Sequence, residues 1–113
     1  MTAAVYNLVI DQGSDFAINL TIKELGAIKD LSGFSARAQM RSSRTASTVA
    51  ASFTCTVLTP ATQGIVKMQL GNATSSALSA GRYFYDLEIH TNADAVVRRL
   101  IQGEVTLNPE VTR

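Results

Sequence analysis

Alternation of apolar and polar side chains is the feature that most restricts the fold of this 113-residue chain. The clearest stretch spans residues 16–22, where each even-numbered residue is Phe, Ile or Leu and each odd-numbered residue is Ala, Asn or Thr. A period of two is that of a β-strand with one buried and one solvent-facing side. Similar patterns or short apolar runs occupy six further stretches, residues 5–10, 35–41, 49–57, 65–70, 83–90 and 96–107.

The segments between these stretches carry turn and loop signals. They are the cluster at residues 11–14, a hairpin-like connection at 25–30, a loop at 42–48, a turn at 60–64, a helical piece at 72–80 and a reversal at 92–94. Short strands at regular spacing are typical of a sandwich of two sheets. The sequence predicts an all-β, immunoglobulin-like β-sandwich of about seven short antiparallel strands with one short helical crossing. We expect it to form a single domain over residues 1–113.

Tyr83 and Gly103 each support a prediction about local structure. Tyr83 lies two positions after Gly81 at the start of a strand, where immunoglobulin-like sandwiches place a structural tyrosine corner. The alternative is an ordinary core tyrosine. Gly103 interrupts the last apolar stretch and indicates either a β-bulge or a close approach of another backbone segment.

The composition excludes several classes of protein. Apolar residues make up 46% and charged residues 17% of the chain, which favours a folded domain over disorder. A formal net charge of +1 argues against a nucleic-acid partner, and no apolar run is long enough for a membrane span. A single Cys55 and the lack of a visible secretory signal suit folding in a reducing cytoplasm.

Residues able to support catalysis or metal binding are sparse. Cys55 lies in the middle of a strand on its predicted inward side, and His90 is the sole histidine. Asp86, Glu88 and His90 share one side of a strand, where they form either a weak metal site or a solvated face. The solvated face, or a partner contact, is the preferred interpretation. We therefore predict no catalytic, metal-binding or cofactor-binding residues and no cofactor.

The arginines are the main candidates for contact with a protein partner, because a guanidinium pairs in a fixed geometry with carboxylates. Arg98 and Arg99 are neighbours, so they point to opposite sides of a strand unless a bulge intervenes. The terminal strand at residues 2–10 could be added to the edge of another sheet, and the 42–48 loop could also make contacts. The candidate contact residues are Arg41, Arg44, Arg98, Pro109, Glu110 and Arg113.

Several segments together resemble a known family. They are residues 6–16, 30–41, 81–89, 97–105 and 109–113. They resemble small structural proteins of tailed-bacteriophage virions with an immunoglobulin-like fold, and the chain is similar in organisation to the N-terminal module of phage baseplate upper proteins. The resemblance implies a virion component that is assembled in the host cytoplasm. It implies contacts with other virion proteins of the tail, baseplate or fibre, or of the capsid, and a homo-oligomer or symmetric array.

The expected function is therefore that of a non-enzymatic virion connector at the tail or baseplate, or at a fibre attachment point. One alternative is a capsid decoration (cement) protein of the same fold. A second alternative is a host-glycan-binding module, for which Phe84 is the outward-facing aromatic residue.

Overall fold

A computed structural model describes residues 4–111 of the chain, with Asn92 described by its backbone alone. This part of the chain forms ten strands and one α-helix. The strands are β1 (Ala4–Val5), β2 (Leu8–Asp11), β3 (Phe16–Thr21), β4 (Lys23–Glu24), β5 (Ala27–Ile28), β6 (Ser35–Arg41), β7 (Ala51–Val57), β8 (Ile65–Leu70), β9 (Gly81–His90) and β10 (Val97–Asn108). The helix, α1, spans Asn72–Ala77, and two single turns of 3-10 helix span Ala61–Gln63 and Asn92–Asp94.

The strands form a curled sandwich in which β7 belongs to both layers. Its first half pairs with β6 through residues 51–53, and its second half pairs with β8 through residues 54–57. In the larger layer the strand order is β10, β9, β6, β7, and β1 and β2 both pair with the outer edge of β10. In the smaller layer the order is β7, β8, β3. The triplets β6–β9–β10 and β3–β8–β7 reproduce the C-F-G and B-E-D groupings of immunoglobulin sandwiches. The predicted all-β sandwich with one short helix is confirmed.

Seven of these strands have four or more residues, and each overlaps one predicted stretch. The first stretch differs in two respects. It breaks into β1 and β2 at Tyr6 and Asn7, and both pieces run parallel to β10 rather than antiparallel. The reason is non-local: after Asp11 the chain crosses to the opposite layer, so the direction of β2 follows from closure of the sandwich and not from a hairpin.

The core lies between the two layers and is built from alternate residues of the strands. Met40, Met68, Leu87 and Ile89 are completely buried, as the alternation predicted. The Phe53 ring packs edge-on against two other aromatic rings, Phe16 and Tyr85, each with 6.2 Å between the ring centroids. Edge-to-face contacts of this kind stabilise a core beyond the area they bury.

Helix α1 fastens the turn that leads from β2 into β3. The Ser75 hydroxyl is fully buried, donates to the Ser14 carbonyl oxygen at 2.9 Å and accepts the Gly13 N–H at 3.1 Å. The Asp15 carboxylate accepts the Asn72 N–H at 2.8 Å at the start of the helix. These bonds hold the first residue of β3 in place.

Tyr83 ties the start of β9 to the segment that follows α1. The residue is 9% exposed, and its hydroxyl donates to the carbonyl oxygen of Ser79 at 2.6 Å. This is the bond from a tyrosine hydroxyl to the backbone a few residues upstream that defines a tyrosine corner.

Replacement of Tyr83 by Phe should lower the free energy of unfolding by about 1 kcal/mol, because it removes one hydrogen bond and keeps the buried ring. Urea unfolding monitored by circular dichroism would measure the change. The same replacement at Tyr6, a residue that is 44% exposed, serves as the control and should change the value by less than about 0.5 kcal/mol. Equal effects at the two positions would contradict the role assigned to the corner.

Gly103 marks a close approach between two backbone segments. A Cβ atom at this position would overlap the carbonyl group of Tyr6, and the Tyr85 hydroxyl donates to that same carbonyl oxygen. Of the two predicted alternatives the close approach is the correct one. The bulge of β10 lies instead between Arg99 and Ile101.

Replacement of Gly103 by Ala should destabilise the fold by about 1–3 kcal/mol, because the clashing atoms are backbone and cannot rotate away. Gly71 is the matched control: a Cβ there meets nothing within 4 Å, so the loss is confined to a helix N-cap preference below about 1 kcal/mol. Chemical unfolding of the two variants beside the original chain compares them. A tolerated G103A would show that Tyr6 moves freely away from β10.

Candidate functional site

The solvent-facing side of the larger layer carries a shallow polar concavity of about 400 Å³. We call this surface the arginine face. It consists of Arg37, Gln39 and Arg41 on β6, Arg44 in the following loop, Phe84, Asp86 and Glu88 on β9, and Arg99 and Gln102 on β10. Those on strands alternate with the buried residues of the same strands, which places them on the outer side of the sheet, and Arg44 reaches the same side from the loop.

Arg37 is paired with two carboxylates. Its Nε lies 2.7 Å from Glu88 Oε1, directly across the β6–β9 ladder, and its Nη1 lies 3.3 Å from Asp94 Oδ1. The hydrogen bond to Glu88 is the main cause of a raised pKa of Arg37, with Asp94 adding to it. These two ion pairs link β6, β9 and the turn after β9 on one side of the sheet.

Arg99 forms the second ion pair of the arginine face. Its Nε lies 3.2 Å from Asp86 Oδ2. Partial burial and the neighbouring Glu88 raise the pKa of Asp86, and the opposing effects of Arg99 and Arg41 do not cancel this rise. The bulge after Arg99 keeps this side chain outward while Leu100 and Ile101, the next two residues, are both buried.

Arg41 and Arg44 close one end of the concavity. Arg41 donates through Nη1 to the Ala46 carbonyl oxygen at 2.9 Å, so it holds the loop that follows β6. The Arg44 guanidinium lies 5.2 Å from the centre of the Phe84 ring, a cation–π distance. Arg44 therefore covers the Phe84 ring, which is the aromatic surface that the glycan-binding alternative would use.

The remaining predicted contact residues lie elsewhere. Arg98 points away from Arg99 and pairs with Glu24 of β4 at 3.2 Å, so the two neighbours do not share a patch. Pro109 is exposed, and the Glu110 N–H donates to Gln12 Oε1 at 2.9 Å, beside the β2–β3 turn. Since β4 and this turn lie at opposite ends of β3, the predicted residues form three separate groups. Arg113 lies outside the described residues.

The terminal strand is also placed differently from the expectation. Residues 4–5 and 8–11 are already paired with β10 of the same chain, so this part of the 2–10 segment is an edge of its own sheet rather than a free donor strand. Pairing within the chain is favoured over pairing with another sheet because it buries Leu8 and Ile10 in the core.

The residues considered for chemistry are engaged by protein groups. Asp86 and Glu88 pair with different arginines, and His90 Nδ1 lies 3.4 Å from Asp94 Oδ1. Among residues 4–111 no three metal-ligating side chains converge on one point. Cys55 is half-buried on β7, and burial raises the pKa of its thiol to about 11, which leaves little thiolate at neutral pH.

Sequence reasoning did not identify the ion pairs that organise the arginine face. Arg37 and Glu88 are 51 positions apart, and they meet because β6 and β9 pair in a register that sets them opposite each other. Asp94 reaches the same guanidinium from the turn after β9. The alternation of each strand could place these side chains outward, but no local signal in the sequence specifies the partner across the ladder.

Comparisons with known proteins do not identify a family for this chain. No protein-family model and no curated protein matches this sequence. Among solved structures, the crystal structure of InlP from Listeria monocytogenes is similar to this chain, with a TM-score of 0.49 and 18% sequence identity. The match covers 91% of this chain and 26% of the InlP chain, so this chain spans about a quarter of the length of InlP in that structure. Within the described residues no helix has the length and apolar character needed to cross a membrane.

Two carboxyl groups should affect stability with opposite signs. Glu24 accepts from Lys29, which lowers its pKa, so its charge stabilises the fold above the unfolded pKa and this contribution is lost as the pH falls. The pKa of Asp86 is raised, so its charge opposes folding at neutral pH and the penalty disappears in acid. We expect E24Q to lower the unfolding midpoint at pH 7 and D86N to raise it.

Both differences should become smaller at pH 3, because the carboxyls lose charge by protonation as the pH falls below their ordinary pKa values of about 4. Thermal unfolding of the two variants at pH 7 and pH 3 measures this. Shifts of the same sign at pH 7 would contradict the assigned electrostatics.

Proposed function

We propose that this chain is a non-enzymatic structural protein of a tailed-bacteriophage virion, which connects tail, baseplate or fibre components through the arginine face. The proposal is supported by the sequence resemblance and by one structural observation. Arg37 and Arg99 are held by carboxylates across the strands, yet their side chains remain 43% and 55% exposed.

An arginine whose side chain is ordered by an ion pair and still exposed to solvent is well suited to protein recognition. Ordering a free arginine side chain on binding costs on the order of 1 kcal/mol, and an existing ion pair has already restricted it. Arginine is also among the residues that most often dominate binding energy at interfaces. Arg41, Arg44 and Arg99 outnumber Asp86 and Glu88 around the concavity, so the partner surface should carry carboxylates.

The proposed setting is a particle in which the chain recurs by symmetry. In a symmetric array each copy needs only a modest contact, since many linked contacts act together. The chain would fold in the host cytoplasm and join the virion there, with other virion proteins as its partners.

Cross-linking mass spectrometry on purified particles tests this placement. Cross-links from Lys67, Lys29 or Lys23 to tail, baseplate or fibre subunits support the connector role. Cross-links to capsid subunits alone would replace it with the decoration protein of the same fold. Binding to a glycan array, without cross-links to tail, baseplate, fibre or capsid subunits, would favour the host-glycan-binding alternative.

Charge reversal at Arg99 should weaken binding to the cross-linked partner at least ten-fold, which corresponds to about 1.4 kcal/mol, because it breaks the pair with Asp86 and repels acidic groups. Lys67→Glu changes the charge equally on the outer side of β8, in the other layer, and should leave affinity unchanged. Calorimetry on the two variants, with thermal unfolding to verify the fold, gives the comparison. Equal affinities would remove the arginine face from the interface.

A further inference from the structure

Strand β3 lies at an open edge of the smaller layer. Among the described residues β8 is the strand that pairs with it, on one side. Its sequence, Phe-Ala-Ile-Asn-Leu-Thr, has no charge, proline or glycine. Edge strands are commonly protected by charged residues, proline or bulges, because their free N–H and C=O groups otherwise pair with another chain. None of these protections is present within β3.

The backbone direction shows which groups are free to pair. The Ile22 N–H donates to Gly64, which precedes β8, at 2.7 Å, and the Ile22 carbonyl oxygen accepts the Lys29 N–H, which follows β5, at 2.9 Å. Even-numbered residues of this strand therefore direct their backbone groups toward β8 and β5. Since the direction alternates, Ala17, Asn19 and Thr21 direct theirs toward the open edge, and so does Lys23 in β4.

The apolar side chains of β3 are incompletely covered. Phe16, Ile18 and Leu20 are only partly buried, whereas the residues of β8 opposite them are 0–3% exposed. A further strand beside β3 would continue the apolar inner side of the layer and cover these residues.

We propose that the open edge of β3 pairs antiparallel with β3 of a second copy of this chain, with Asn19 on the two-fold axis opposite Asn19 of the second copy. Ala17 then lies opposite Thr21, and Ile18 opposite Leu20, so both copies keep their apolar residues on the same side of the sheet. At each end of the pair Asp15 lies opposite Lys23 of the second copy.

This charge complementarity selects the register. Pairing centred on Ile18 is compatible with the backbone directions, but it sets Asp15 opposite the uncharged Thr21. A register centred between two residues would bring polar side chains to the apolar side. Only the register centred on Asn19 joins opposite charges at both ends. Asp15 binds Asn72 through Oδ1, and its Oδ2 takes no part in those bonds.

The resulting dimer is expected to be weak, because one strand pair gives an interface at the small end of the specific range. A dissociation constant on the order of 10 μM to 1 mM is consistent with such an interface. The inference concerns the opposite layer from the arginine face and does not rest on the proposed virion function.

Sedimentation equilibrium of the purified chain up to about 1 mM should show a mass rising from 12.1 kDa toward twice that value. Asn19→Pro removes the N–H on the two-fold axis without affecting the bonds to β8, and it should leave a monomer throughout. Asn19→Ala keeps the N–H and is the matched control, which should dimerise. A monomeric original chain, or a folded N19P that dimerises, would overturn the proposal.

Surface variants test the register even if N19P fails to fold. Lys23→Glu should weaken the dimer at least ten-fold, because it sets a like charge opposite Asp15 of the second copy at each end of the strand pair. In a Cys55→Ala background, Asn19→Cys should form a disulfide with itself on mild oxidation, because hydrogen-bonded antiparallel pairs hold their Cα atoms about 5.5 Å apart. Thr21→Cys should not, since two such residues lie far apart across the axis. Unchanged dimerisation of K23E, or equal cross-linking of both cysteine variants, would overturn the register and with it the proposal.

Discussion

The Phe53 ring joins the two layers of this protein at the point where β7 leaves one layer and enters the other. It packs edge-on against Phe16 from the smaller layer and against Tyr85 from the larger one. Tyr85 continues the chain of contacts, because its hydroxyl binds the Tyr6 carbonyl oxygen that lies over Gly103. The edge strands, the last strand and the crossing strand are therefore held by one connected group of aromatic residues.

This closure places two different surfaces on opposite layers. The arginine face lies on the outer side of β6, β9 and β10, where cross-strand ion pairs hold arginines in accessible positions. The open edge of β3 lies in the smaller layer, where an uncharged strand directs outward backbone groups that pair with no other strand of residues 4–111. Because the two surfaces are separate, a contact at one leaves the other accessible.

The ion pairs of the arginine face are set by the register between neighbouring strands and not by the number of charged residues in the chain. Asp86 and Glu88 lie two residues apart on one strand, so the charge of Glu88 adds to the cost of ionising Asp86. The arginines that pair with these carboxylates come from neighbouring strands, Arg37 from β6 and Arg99 from β10. The net charge of +1 gives no indication of this arrangement, since the positive and negative groups cancel in the sum.

The sequence by itself determined the all-β class, the approximate positions of the seven longer strands, the buried side of the five strands that alternate (β3, β6, β7, β8 and β9) and the placement of Tyr83 at the start of β9. These features are local, because an alternation with period two assigns each side chain to a face whatever its neighbours are. Only the tertiary structure decided the parallel pairing of β1 and β2 with β10, the passage of β7 between layers, the bulge after Arg99 and the partners of Arg37 and Arg99. Each of these depends on which strands meet and in what register, and that is set by closure of the whole core around residues far apart in the chain.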